Sequence, residues 1–404
     1  MQIRPILAAL RKHRLATVLI TLEIALACAV LCNACFMITS RLSAMRVASG
    51  VDERALATVQ LNGYDPAESA DVDARALATL RGVPGVQSVS LLNSIPFGMR
   101  RGTAGITTDA AGQHFGGVVE FYVGAPGSFE ALGVQVVRGR GPQPDDFHPF
   151  AGLMPDDAPV EMTQALAEHL WPGEDPLGKQ IWLDKSLFRV VGVLKTLVRP
   201  DPPGWSPSQR AWSIFVPAQP GPFLSGSYLL RANPQDMPRV MRDALAAIGK
   251  ALPDVVIDRE DSHALTELRD IMFRNDRAMA GLLVGVILAL LGVTALGIVG
   301  LASFWVGQRR KQIGIRRAIG ATRGDILRYF QTENFLIVTF GIALGMVLAF
   351  AINLTLMKFY ELPRLPLFYL PIGAVALWLL GQLAVLGPAL RAAAVPPVVA
   401  TRSV

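Results

Sequence analysis

Eight residues, Gly173-Glu174-Asp175-Pro176-Leu177-Gly178-Lys179-Gln180, come close to a loop that cradles phosphate. Three features argue against that chemistry. Gln180 stands where a Ser or Thr hydroxyl would ligate magnesium. Glu174 and Asp175 would repel phosphate, and a strand-like run follows where a helix N-terminus should hold the anion. The histidines, at 13, 114, 148, 169 and 263, lack metal-ligand spacing, and no nucleophile elbow occurs. Asp145, Asp146, Asp156 and Asp157 lie in Pro/Gly-rich segments and read as solvated turns rather than a calcium site. Cys28, Cys32 and Cys35 all fall in one apolar run, so they read as small packing residues. The sequence therefore predicts a chain without catalytic, cofactor-binding or metal residues.

The most informative spacing is basic. From Gly307 to Glu333 the chain carries Arg309, Arg310, Lys311, Arg316, Arg317, Arg323 and Arg328 against only Asp325 and Glu333. Apolar runs flank this stretch on both sides, and a short basic loop between two membrane spans marks the cytosolic side. Ile313, Arg316, Arg317 and Gly320 fall at helical spacing, with Ala318 and Ile319 favouring a short helix. Gly320 can close that helix in a left-handed conformation, and Thr322 with Asp325 can cap the next.

The elements that position this loop follow from composition. The chain has 404 residues, 51% of them hydrophobic, with a mean hydropathy of +0.39. That excludes both an ordinary soluble protein and one wholly within the bilayer. The fold class expected is a four-helix membrane protein with a large α+β extracytoplasmic domain inserted between the first and second spans. Residues 1–14 form a basic cytosolic arm, and 15–38 span a ~30 Å hydrocarbon core at ~1.5 Å per residue. Residues 39–277 form the outer domain, 278–306 the second span and 307–333 the cytosolic loop. Residues 334–357 form the third span, 358–366 an outer loop, 367–390 the fourth span and 391–404 a cytosolic tail.

Net charge is +6, yet Ser40–Arg277 holds 23 Lys/Arg against 28 Asp/Glu. The basic excess thus reports membrane topology and excludes nucleic-acid binding. Within the outer domain, β-α-β units near 52–101 and 221–260 flank an insertion near 102–220. Ser262–Arg277 reads as a stalk helix with Leu265, Leu268, Met272 and Met279 on one stripe, running unbroken into the second span. Gly281, Gly285 and Gly292 in that span, and Gly341 and Gly345 in the third, have helix-packing spacing. Glu23, deep in the first span, is expected at a helix contact, since an acid in lipid is costly.

The basic stretch resembles the signature of FtsX-like and MacB-like ABC transporter permeases. The residues that carry the resemblance are Arg310-Lys311-Gln312-Ile313-Gly314-Ile315-Arg316-Arg317-Ala318-Ile319-Gly320-Ala321-Thr322. Gln312 departs from the family's usual Glu, so an ion pair built on that carboxylate is absent. Ser128-Phe129-Glu130-Ala131-Leu132-Gly133, Arg138-Gly139-Arg140, Asp145-Asp146-Phe147 and Trp171-Pro172-Gly173-Glu174-Asp175-Pro176-Leu177-Gly178-Lys179 resemble the MacB-like extracytoplasmic core domain.

That resemblance implies a permease subunit in the cell inner membrane, with its large domain periplasmic. It implies that the stretch docks into a separate ATPase through Arg309, Arg310, Lys311, Ile313, Gly314, Arg316, Arg317, Ala318, Gly320 and Thr322. ATP and Mg would then be bound by that partner. It further implies a second permease copy or a paralogue, a periplasmic adaptor and an outer-membrane channel for export or efflux. A lipoprotein-releasing permease and an FtsX-like regulator of cell-wall hydrolases share the plan.

Overall fold

A 32-residue helix, α1 (Arg14–Met45), opens the computed structural model, which describes residues 14–221, 223–360 and 365–395. The arm at 1–13, the tail beyond 395 and residues 361–364 of the loop expected at 358–366 lie outside the described residues. Two units follow from the chain's contacts: residues 44–275 form one, and residues 1–43 with 276–404 the other.

The first unit contains two sheets. Strands β1 (Leu56–Asn62), β2 (Val86–Leu91) and seven strands between them and β10 (Ser227–Ala232) divide cleanly. One antiparallel sheet has the order β11–β1–β10–β2, with β11 at Val256–Ile257. Helices α2 (Ser69–Arg81) and α5 (Met237–Ala251) cover one face of it, because Val72, Ala76 and Leu80 repeat at helical spacing, as do Val240, Ala244 and Ile248. Asp65 starts the first helical turn by accepting from Ala67 N at 2.8 Å.

The second sheet takes β3 (Thr103–Thr107), β4 (Phe115–Gly124), β5 (Val136–Gly139), β6 (Ala158–Thr163), β7 (Gln180–Leu183), β8 (Ser186–Leu194) and β9 (Ser213–Pro217). Its order is β5–β8–β6–β9–β4–β3–β7, and β7 pairs again with β8, so six strands close into a small barrel. Short helices α3 (Ser128–Leu132) and α4 (Gln164–Leu170) lie between these strands in sequence. Ile106, Phe121, Val160, Met162 and Phe188 fill the same continuous core as the helix-covered face of the first sheet.

Glu161 of β6 is fully buried, and neither carboxyl oxygen has a hydrogen-bond partner among the described residues. Burial pushes its carboxyl up to about 9, and repulsion from Asp146 adds to the shift. A folded-state value above the unfolded ~4.3 stabilises the fold fully below that value, and the contribution is lost as pH rises toward 9. Thermal stability should therefore fall between about pH 5 and about pH 8.5, and Glu161→Gln should flatten that fall. An unchanged slope in the variant would mean that Glu161 is ionised and compensated in the native chain.

Two expectations are corrected here. Asp146 is not a solvated turn residue. It is 8% exposed, pairs with Arg140 and accepts from Gln143 N at 2.7 Å. The stalk is also not one unbroken helix. Helix α6 spans only Leu265–Met272 and ends at Phe273, and α7 (Arg274–Gln308) begins anew. Two local demands set those limits. Phe273 is completely buried, edge-on to Phe97 at 6.1 Å, which holds its side chain in the core of the outer unit. His263 and Ala264 remain extended because they extend the sheet edge: Thr58 N donates to His263 O at 3.0 Å, and Ala57 bridges Ala264. Met279, expected on the stalk's apolar stripe, is exposed.

The second unit is helical. It contains α1, α7, α8 (Arg310–Ala318), α9 (Arg323–Tyr360) and α10 (Tyr369–Ala393). Among the described residues, α1, α7, α9 and α10 are long and apolar enough to cross a membrane. Helix α1 contributes Ile20, Ile24, Cys28 and Cys32 to a core shared with Ile298 and Ala302 of α7, Val338 of α9 and Leu377 of α10. The cysteines thus lie within the helix packing.

Gly341 and Gly345 sit directly on α1: a Cβ at Gly345 would lie 2.6 Å from Ala25 O, and one at Gly341 2.7 Å from Ile24. Gly281, Gly285 and Gly292 of α7 meet no neighbour within this chain: a Cβ there would find nothing within 4 Å. Gly373 and Gly381 of α10 make the close approaches instead, to Cys32 and Val338. Glu23 presents its carboxylate to α7 at Gly297, where a Cβ would come within 2.7 Å.

Candidate functional site

Helix α8 is held on one face and open on the other. Ile313 packs with Ile326 and Phe330 of α9 and Ala389 and Ala392 of α10, and Gly314 beside it is buried. The opposite face exposes Arg310, Lys311, Gln312, Ile315, Ala318 and Ile319. Ile319 is 81% exposed and Ile315 45%. They stand four residues apart, so they lie one above the other on a single face with Lys311 beneath.

Charged contacts fix both ends of α8. Arg309, its N-cap, donates to both carboxylate oxygens of Glu333 in α9, at 3.0 and 2.8 Å. Its guanidinium also lies 5.5 Å from the Trp305 ring. At the other end, Arg317 donates to Ala393 O at 3.0 Å and Val395 O at 2.9 Å, satisfying carbonyls at the C-terminus of α10. A cation there also complements the helix dipole. Arg316 lies 5.1 Å from the Tyr329 ring.

The turn that follows has the chemistry its residues allow. Gly320 has φ of +107°, a conformation that glycine adopts without strain. Ala321 N then donates to Arg316 O at 3.0 Å. Thr322 and Asp325 cap α9 reciprocally: Asp325 N donates to Thr322 Oγ1 at 3.2 Å, and Thr322 N to Asp325 Oδ2 at 3.0 Å.

The residues singled out from sequence therefore divide by role. Arg310, Lys311 and Ala318 face outward. Arg309, Ile313, Gly314 and Arg317 fasten α8 to its neighbours, and Gly320 and Thr322 set the turn. Within the chain the guanidinium groups of Arg309 and Arg317 are held by Glu333 and by the end of α10. Ile315 and Ile319 are the outward apolar residues that sequence reasoning did not select. Their signal was present, since an i,i+4 pair of isoleucines within a basic helix has no reason to be apolar if both faces meet water. The phosphate-loop look-alike is a turn: Lys179 pairs with Glu174, lies 5.0 Å from the Trp171 ring, and leads into β7.

Residues 17–248 match the MacB-like periplasmic core domain, and residues 284–397 match the FtsX-like permease C-terminal domain. The chain belongs to the MacB/FtsX-like permease family. Among curated relatives, the macrolide export ATP-binding/permease protein MacB of Neisseria gonorrhoeae is 29% identical over 237 residues, 57% of this chain and 35% of the relative. MacB of Marinobacter nauticus is 30% identical over 206 residues, 47% of this chain and 30% of the relative. The uncharacterized ABC transporter permease YknZ of Bacillus subtilis is 23% identical over 254 residues, 60% of each chain. This permease thus spans about a third of the length of the MacB relatives it matches.

Among solved structures, the periplasmic region of MacB from Actinobacillus actinomycetemcomitans is similar, with 16% identity and a TM-score of 0.34. It covers 53% of this chain and 92% of that one. The extracellular domain of a YknZ transporter from Gram-positive bacteria has 15% identity and a TM-score of 0.33 over 50% of this chain and 98% of that one.

Proposed function

We propose that this permease is the non-catalytic membrane subunit of an ABC transporter and that α8 is the surface on which a separate ATPase docks. One observation carries the proposal. Helix α8 is fastened to the bundle by Arg309, Ile313 and Arg317, while Ile315 and Ile319 stand exposed beside Arg310 and Lys311. A rigidly mounted helix with an uncovered apolar face can pass a displacement of its partner into α7 and α9.

By the positive-inside rule α8 faces the cytosol, so residues 44–275 lie outside it and both termini inside. ATP and magnesium are then bound by the ATPase. The motion acts on substrates already outside the inner membrane, through a dimer with a second permease copy, a periplasmic adaptor and an outer-membrane channel. The size of the two-sheet outer domain supports export over the regulation of cell-wall hydrolases.

Changing Ile315 and Ile319 together to Asp tests the docking surface. Both side chains are exposed, so insertion and thermal stability should stay near wild type. Co-purification of the ATPase and permease-stimulated ATP turnover should fall by at least about tenfold, because two charges would replace the buried centre of an interface. Full ATPase recovery with the doubly substituted chain would remove α8 as the docking element.

A further inference from the structure

The outer domain is acidic overall, and many of its arginines are paired: Arg101 with Asp201, Arg138 with Asp175, Arg140 with Asp146 and Arg269 with Glu53. Arg54, Arg242 and Arg259 break that pattern in one place. They line an open cleft of about 550 Å³ beside α5. No hydrogen bond or ion pair joins any of the three guanidinium groups to another described residue. Glu267 is the one carboxylate among the lining residues, and it is held by His263 at 3.0 Å.

The floor of the cleft is apolar. Met237, Met241 and Leu245 line it from successive turns of α5. Met237 and Met241 are mostly buried, 3% and 8% exposed, so they offer the cleft only their polarizable edges beside the half-buried Leu245.

Solvated arginines are ordinary on a protein surface, and each of these three is exposed. Their convergence is what calls for an explanation. Three like charges around one concavity repel each other, and low-dielectric walls concentrate their field within it. An anion inside the cleft would relieve that repulsion. Guanidinium is weakly hydrated and matches a carboxylate or phosphate in a two-point fork. The volume lies within the range of about 300–1,000 Å³ typical of small-molecule sites.

We propose that this cleft binds a small soluble amphiphilic anion. Its carboxylate or phosphate head lies among Arg54, Arg242 and Arg259, and its apolar body lies on Met237, Met241 and Leu245. The site is independent of α8 and of any ATPase.

The test uses the full chain in phosphatidylcholine nanodiscs, with empty nanodiscs as the blank. Octanoate, octyl phosphate, octylammonium and acetate are titrated calorimetrically. Saturable binding of octanoate or octyl phosphate is expected, and which of the two binds tighter identifies the head group. Octylammonium and acetate should bind at least about tenfold more weakly, for want of the charge and of the apolar body respectively. Arg242→Glu with Arg259→Glu should weaken anion binding by at least about tenfold without moving the thermal midpoint. Arg54→Glu provides the same readout should the double variant lose stability. Absence of saturable binding by either anion, equal binding of octylammonium or acetate, or unchanged affinity in well-folded Glu variants would overturn the proposal.

Discussion

Arg309→Ala should destabilise the helical unit by about 3–5 kcal/mol, as is typical when one partner of a buried ion pair is removed. Glu333 is 1% exposed and Arg309 13%, so the carboxylate cannot regain water when its partner is lost. The cost therefore includes leaving the buried Glu333 carboxylate without the Arg309 charge, besides the two hydrogen bonds at 2.8 and 3.0 Å. A double replacement separates the two effects. Arg309→Met with Glu333→Leu removes both charges and should recover most of the thermal midpoint lost in Arg309→Ala. Function should not recover with it, because α8 would lose the contact that fixes its N-terminal end to α9. Thermal unfolding of the three chains in nanodiscs, followed by ATPase co-purification, checks both parts. Equal midpoints for Arg309→Ala and wild type would mean that Glu333 is neutral or otherwise compensated.

The four apolar helices were legible because lipid imposes a strong rule: a long uncharged run with basic residues at one end has few alternatives. The turn after α8 was legible for a local reason. Gly320, Thr322 and Asp325 each act within a few residues of themselves. What the sequence did not disclose depends on partners distant in the chain. Arg317 and Arg316 look alike in the sequence, yet one satisfies the end of α10 and the other lies over Tyr329. Gly281 and Gly345 both sit at packing spacing, and only the path of α1 decides which meets a neighbour. Asn33, Asn334 and Asn353 are polar residues in apolar runs whose acceptors and donors only the fold supplies. Asn33 donates to Ala349 O, Asn334 donates to Gly381 O, and Asn353 accepts from Leu365 N. In the outer unit, the break at Phe273 was illegible because helical periodicity says nothing about an aromatic that another loop must bury.

That break gives Arg269 its importance, and Arg269→Ala should have the largest effect in the outer unit. Arg269 is the fifth residue of α6, just before Phe273. Its Nε and Nη2 donate to the two oxygens of Glu53 at 2.7 and 2.6 Å. Nη1 donates to Met45 O at 2.8 Å and Nη2 to Val47 O at 2.7 Å. The guanidinium also lies 4.1 Å from the centre of the Phe97 ring, and Phe97 itself has φ of +66°. One side chain thus ties the segment that follows α1 to the segment that precedes α7. A charged hydrogen bond contributes about 1.5–3 kcal/mol, and the four act as a unit, so a loss of about 3 kcal/mol is expected for Ala. Lys should recover less than half of it, since a single ammonium cannot match the planar fork. Hydrogen exchange of residues 45–53 should accelerate in Arg269→Ala while exchange in β6 and β9 stays slow. If the two segments must move together to carry displacement outward, the same variant should keep its ATPase and ATP turnover but lose export. Intact export with accelerated exchange would confine Arg269 to stability, and unchanged exchange would remove the clamp altogether.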